Sequence, residues 1–86
     1  GASEKVKPSL KLMPNPSNGA FAIDFNGSSF EQAELTITNM TGAKVYAKTL
    51  SAVSGLENFQ TSMVAGVYLI EVADGTRTWN SRIIIK

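Results

Sequence analysis

Asp24-Phe25-Asn26-Gly27-Ser28 places oxygen-bearing side chains at alternate positions, as the opening of a calcium-binding loop does. Such a loop also needs a glycine at its sixth position and a bidentate glutamate at its twelfth, where this chain has Ser29 and Leu35. The ion would therefore lack its closing ligand. Glu34, Glu57, Glu71 and Asp74 fall on separate segments, and solvated surface positions account for them better than a paired acid and base. The chain has no histidine and no cysteine, so neither a Ser-His nor a Cys-His nucleophile can be assembled, and no transition-metal site can be drawn. The expectation is a protein that is not an enzyme and uses no cofactor or metal.

Trp79 is the other candidate for direct chemistry. A lone tryptophan with Tyr46 or Tyr68 on a β-sandwich could stack on a sugar ring, which would make the chain a carbohydrate-binding or adhesion module of a secreted protein. By alternation Trp79 shares a face with Ile83 and Ile85, so a core position is the first reading.

The elements that would position these residues are strands. In Met63 to Ala73, Tyr68, Ile70 and Val72 fall on one face and Val67, Leu69 and Ala73 on the other, the pattern of a strand inside a sheet. Gly66 opens it, and Asp74-Gly75 closes it with a hairpin signal. The next strand, from Thr76 to Lys86, should run back antiparallel beside it. Earlier in the chain, Phe21, Ile23 and Phe25 alternate with Ala20, Ala22 and Asp24, the cleanest half-buried pattern present. Ala33, Leu35 and Ile37 alternate with Glu34, Thr36 and Thr38. Met40-Thr41-Gly42 makes a tight connection, with Gly42 left-handed, into a less regular strand from Ala43 to Ser51. Leu56 to Ser62 holds one more strand with Leu56 or Phe59 inward. Leu10 and Leu12 form a short first strand, halted by Pro14-Asn15-Pro16, a rigid corner that removes two amide donors. Asn18-Gly19 marks the turn that follows. About seven short strands with turn signals between them specify an all-β, antiparallel β-sandwich.

Bulk properties narrow the partners. A formal charge of +1, from 8 basic and 7 acidic residues spread along 86, gives no field that would gather nucleic acid. No apolar run approaches the ~18 to 20 residues that span a bilayer, so direct membrane insertion is not expected. Residues 1–8 read as a polar linker, with Gly1-Ala2-Ser3 a cloning remnant ahead of a domain cut from a longer protein, and residues 9–86 as the domain.

Four blocks in order carry a resemblance: Met13-Pro14-Asn15-Pro16-Ser17-Asn18-Gly19, Asn39-Met40-Thr41-Gly42-Ala43-Lys44-Val45, Met63-Val64-Ala65-Gly66-Val67-Tyr68-Leu69-Ile70, and Arg82-Ile83-Ile84-Ile85-Lys86. Together they resemble the type A C-terminal sorting domain of cargo of the type IX (Por) secretion system of Bacteroidetes. Met13 stands where an aromatic or small apolar residue is more usual, and Phe59 to Gly66 is about one residue short of the usual run.

The resemblance implies an immunoglobulin-like β-sandwich of about seven strands that serves as an export signal. A cargo protein reaches the periplasm, and this domain then directs it through the outer membrane to the cell surface or the medium. The implied partners are the translocon and a sortase-like cysteine protease that removes the domain and joins the cargo to anionic lipopolysaccharide. Cleavage would fall before Leu10, where chain is free of the sandwich.

Recognition has a physical reading of its own. Three successive β-branched residues at a chain end need cover on both faces or a partner strand. Arg82, Ile83, Ile84, Ile85 and Lys86 are therefore expected to be read by the secretion machinery, the two cations as polar anchors. The bland reading, a core strand closing the sandwich, coexists with it. Pro14, Asn15, Pro16, Gly19, Gly42, Gly66 and Tyr68 carry the family pattern and are expected to be structural, with the Tyr68 hydroxyl at the rim of the core. Exposed edges also allow a strand-mediated dimer, and a passive stalk domain is the remaining alternative.

Overall fold

The computed structural model describes residues 10–14, 18–25 and 29–86. Seven strands follow in chain order: β1 Lys11–Met13, β2 Ala20–Asp24, β3 Phe30–Thr38, β4 Lys44–Val53, β5 Leu56–Gln60, β6 Gly66–Ala73 and β7 Thr78–Ile85. They form two antiparallel sheets, ordered β1-β2-β5 and β4-β3-β6-β7. Lettered A, B, C, C′, E, F and G, the sheets are ABE and C′CFG, which is an immunoglobulin-like sandwich whose fourth strand has joined the C-F-G sheet.

Alternation decides which face of each strand is inside. Phe21 and Ile23 of β2, with Phe59 of β5, line one sheet, while Leu35 and Ile37 of β3, Tyr68, Ile70 and Val72 of β6, and Ile83 and Ile85 of β7 line the other. Phe21 and Phe59, opposite each other in register, stack at a centroid distance of 5.2 Å. Phe25 meets Phe30 edge to face at 5.5 Å. Such pairs add specific geometry to the area they remove from water. Of the two residues offered for β5, Phe59 turns inward and Leu56 is exposed.

Two irregularities break the alternation that the sequence suggests. Leu50 and Val53 are both buried although three residues apart, because Ala52 has a positive φ of 53° and resets the side-chain phase. Val53 then pairs with buried Phe30, which extends β3 three residues before the expected start at Ala33. The second break is a register shift at Ile37/Thr38, where Tyr46 pairs with Ile37 but Lys44, not Val45, pairs with Thr38. Tyr46 packs against the core, while the shift carries Lys44 to the exposed face that Thr38 occupies.

The crossovers between sheets are fixed by hydrogen bonds. The Tyr68 hydroxyl donates to the Val64 carbonyl at 2.6 Å, so the tyrosine at the start of β6 ties down the corner by which the chain leaves β5 for the other sheet. Tyr68→Phe should lower stability by about 1 kcal/mol with the ring packing kept, measurable by urea denaturation. Where that connection leaves β5, Thr61 donates its amide and hydroxyl to the Gly19 carbonyl at 2.8 and 3.1 Å. Gly19 has φ 110°, and a Cβ there would lie 2.7 Å from the Thr61 carbonyl oxygen. Gly19→Ala is therefore expected to cost about 2 kcal/mol or more, read as a lowered denaturation midpoint.

Candidate functional site

β7 carries four of the five expected recognition residues, with Lys86 directly after it, and its two faces differ. Ile83 is fully buried and Ile85 is 3% exposed, both in the core. Arg82, Ile84 and Lys86 are exposed, with Ile84 at 38%. A single run of three isoleucines is thus divided by the pleat into two core anchors and one outward apolar group. The core reading holds for Ile83 and Ile85, and only Arg82, Ile84 and Lys86 of the five present side chains outward.

The neighbouring strand continues this outward face. Val67 lies opposite Ile84 and Leu69 opposite Arg82. Val67 and Leu69 are 36% and 47% exposed, although their inward neighbours Tyr68 and Ile70 are buried. Apolar residues on both faces of β6 had indicated an internal strand, and β6 does lie between β3 and β7. Its second face is nevertheless open.

The hairpin joining β6 to β7 is held by Asp74. Its Oδ1 accepts from the amides of Thr76 and Arg77 at 3.0 and 2.7 Å and from the Thr76 hydroxyl at 3.0 Å. Its Oδ2 accepts from Nε and Nη2 of Arg77 at 3.2 and 3.0 Å. The same Nη2 donates to the Ser29 carbonyl at 2.7 Å, and the guanidinium lies 4.2 Å from the centre of the Phe30 ring. The far end of the hairpin is thereby clamped to the start of β3. The Arg77 amide first, then the Thr76 amide, hold the Asp74 carboxyl well below the usual carboxylate range. A group depressed in the folded state contributes stability above its unfolded value and loses it as pH falls through the folded one. Asp74→Asn should therefore flatten the acid limb of a stability-against-pH profile.

The motif residues have structural work. Asn39 Oδ1 accepts from the Thr41 amide and hydroxyl and the Ala43 amide at 3.0, 2.7 and 3.0 Å, closing the β3–β4 turn in which Gly42 has φ 92°. Pro14 ends β1; Asn15, Pro16 and Ser17 lie outside the described residues. Gly66 lies beside the Tyr68 ring, which would be 3.6 Å from an added Cβ, an ordinary contact. Of Asp24-Phe25-Asn26-Gly27-Ser28, the last three also lie outside the described residues. Trp79 packs partly buried against the core, opposite Val72, as Tyr46 also packs against it. Both rings thus spend part of their surface on the core, as the first reading of Trp79 expects.

A family model described as the secretion system C-terminal sorting domain matches residues 11–86. The chain belongs to this family. The sorting domain is a C-terminal signal of the type IX secretion system, and its family is not an enzyme family. Its cargo is exported to the cell surface or secreted, so the domain's partners are components of that machinery. Comparison with curated proteins finds no match.

Proposed function

We propose that the sorting domain is read by the secretion machinery through the outward side chains of its terminal strand, Arg82, Ile84 and Lys86, while Ile83 and Ile85 hold that strand in place. The division of the strand supports this reading: the two inward isoleucines are buried, so the backbone carrying the outward three is fixed before any partner arrives. A cargo bearing the domain reaches the periplasm, and the folded sandwich presents the signal there. A sortase-like protease then cuts ahead of Leu10 and joins the cargo to the cell surface, since the paired strands offer no ~10-residue extended segment for cleavage. The N-terminus of the released domain, determined by mass spectrometry, should precede Leu10, and a start inside β1 would contradict the proposed cut. Recognition is tested with a fluorescent cargo fused to residues 4–86 in a type IX-competent cell. Arg82→Glu, Ile84→Thr and Lys86→Glu combined should leave the cargo in the periplasm, whereas undiminished export would remove the outward strand from the signal.

A further inference from the structure

The register aligns a row of outward residues across the four-stranded sheet: Lys44 opposite Thr38, Thr38 opposite Leu69, and Leu69 opposite Arg82. At strand spacings of ~4.8 Å the two cations stand about 14 Å apart with the exposed leucine between them. The next outward pair toward the chain terminus, Val67 and Ile84, is apolar, and Lys86 follows. Lys44 reaches this row only through the register shift at Ile37/Thr38, since simple alternation would turn it the same way as core-packed Tyr46.

Most acidic side chains are placed away from this row. Asp24 and Glu57 lie at the end of the first sheet where β2 leaves toward β3. Glu31 is at the start of β3 and Glu34 at its middle, and Asp74 is in the distant hairpin, engaged by Arg77. Glu71 is the acid nearest the row, one outward step along β6 and opposite Thr36 and Asn80, where it shares a surface groove with Thr38, Leu69 and Arg82. Among the described residues, the end of the sheet with the β3–β4 turn and the chain terminus holds Lys44, Arg82 and Lys86 around Val67, Leu69 and Ile84, and no acidic side chain.

From this juxtaposition we infer that the recognised surface extends from β7 across β6 to Lys44 of β4, and that its occupant is a protein segment of the secretion machinery with carboxylates on both sides of an apolar centre. The inference rests on the sorting reading above and deepens it. Charge complementarity selects the occupant. A second copy of the chain paired edge to edge is disfavoured, because β4 and β7 carry basic residues and no acidic ones, so that pairing makes no opposite-charge contact. An anionic lipid surface is the weaker candidate. Three basic groups raise partition onto it by about a hundredfold in all, and three half-exposed side chains on a flat sheet do not penetrate as an amphipathic helix does.

The test uses the complete chain and detergent-solubilised, purified type IX outer-membrane translocon as the probe, with affinity measured at low and high salt. Lys44→Glu and Leu69→Thr are each expected to weaken binding about five- to tenfold, and raised salt should weaken the native chain but scarcely the Lys44→Glu variant. Lys11→Glu, an equal change of charge on the other sheet, should bind as the native chain does. Circular dichroism and melting confirm that each variant is folded. Native affinity in both patch variants, equal loss in Lys11→Glu, or no binding by the native chain would overturn the inference. So would binding to vesicles of phosphatidylcholine and phosphatidylglycerol that is lost in Lys44→Glu. If the β7 triple variant fails to export its cargo while Lys44→Glu and Leu69→Thr export normally, the sorting reading stands and the extended surface falls; if the native fusion is not exported, the sorting reading itself falls.

Discussion

Ile83→Ala is expected to destabilise the domain by about 2 to 5 kcal/mol, the cost of emptying a fully buried isoleucine position that its surroundings refill only in part. A single domain of this size has a stability of roughly 5 to 10 kcal/mol, so one substitution in the terminal strand removes a large share of it. Urea or thermal denaturation followed by circular dichroism measures the loss. Ile84→Ala, one residue away but outward-facing, should change stability by less than about 0.5 kcal/mol. Equal costs at the two positions would mean that the strand is not divided between core and solvent. The consequence for function is practical. Deleting Ile83 to Lys86 would take away two core side chains along with the outward groups, so a failure of export after truncation reports unfolding and lost recognition together.

The combined change of Arg82→Glu, Ile84→Thr and Lys86→Glu separates the two. All three side chains lie outside the core, and threonine suits an exposed strand position, so the domain should melt within a few degrees of the native one. Export should nevertheless fall by about tenfold or more, because reversing two charges and removing an outward apolar group alters the surface offered to the partner while the core side chains stay as they are. Fractionation of cells carrying the reporter fusion gives the measurement. A variant that both melts early and fails to export would leave stability as the sufficient explanation.

Much of this arrangement was legible in the sequence because alternation is a local property. Phe21, Ile23 and Phe25 announced an inner face without reference to any other strand, and Tyr68, Ile70 and Val72 did the same. The turns at Asn39 to Ala43 and Asp74 to Arg77 were marked by side chains that bond their own backbone two to four residues on. What stayed hidden depends on partners. Phe30 breaks the period of its strand and is buried because Val53 arrives opposite it after the left-handed Ala52. Lys44 reads as sharing a face with Tyr46 until the register shift separates them. The open outer face of β6 was likewise beyond sequence reasoning, since Val67 and Leu69 look like core residues to any rule that counts apolar groups on both sides. The division of Ile83 to Ile85 lay between these cases. Alternation separates Ile84 from its neighbours, but which side is covered follows from the second sheet.

Delivery of a fluorescent cargo fused to residues 4–86 remains the most direct measurement. In a type IX-competent cell the fusion should appear at the surface or in the medium, and the β7 triple variant, folded to the same extent, should be held in the periplasm. Equal delivery of the two fusions, or of a cargo lacking the domain altogether, would contradict a signal read from the outward side of the last strand.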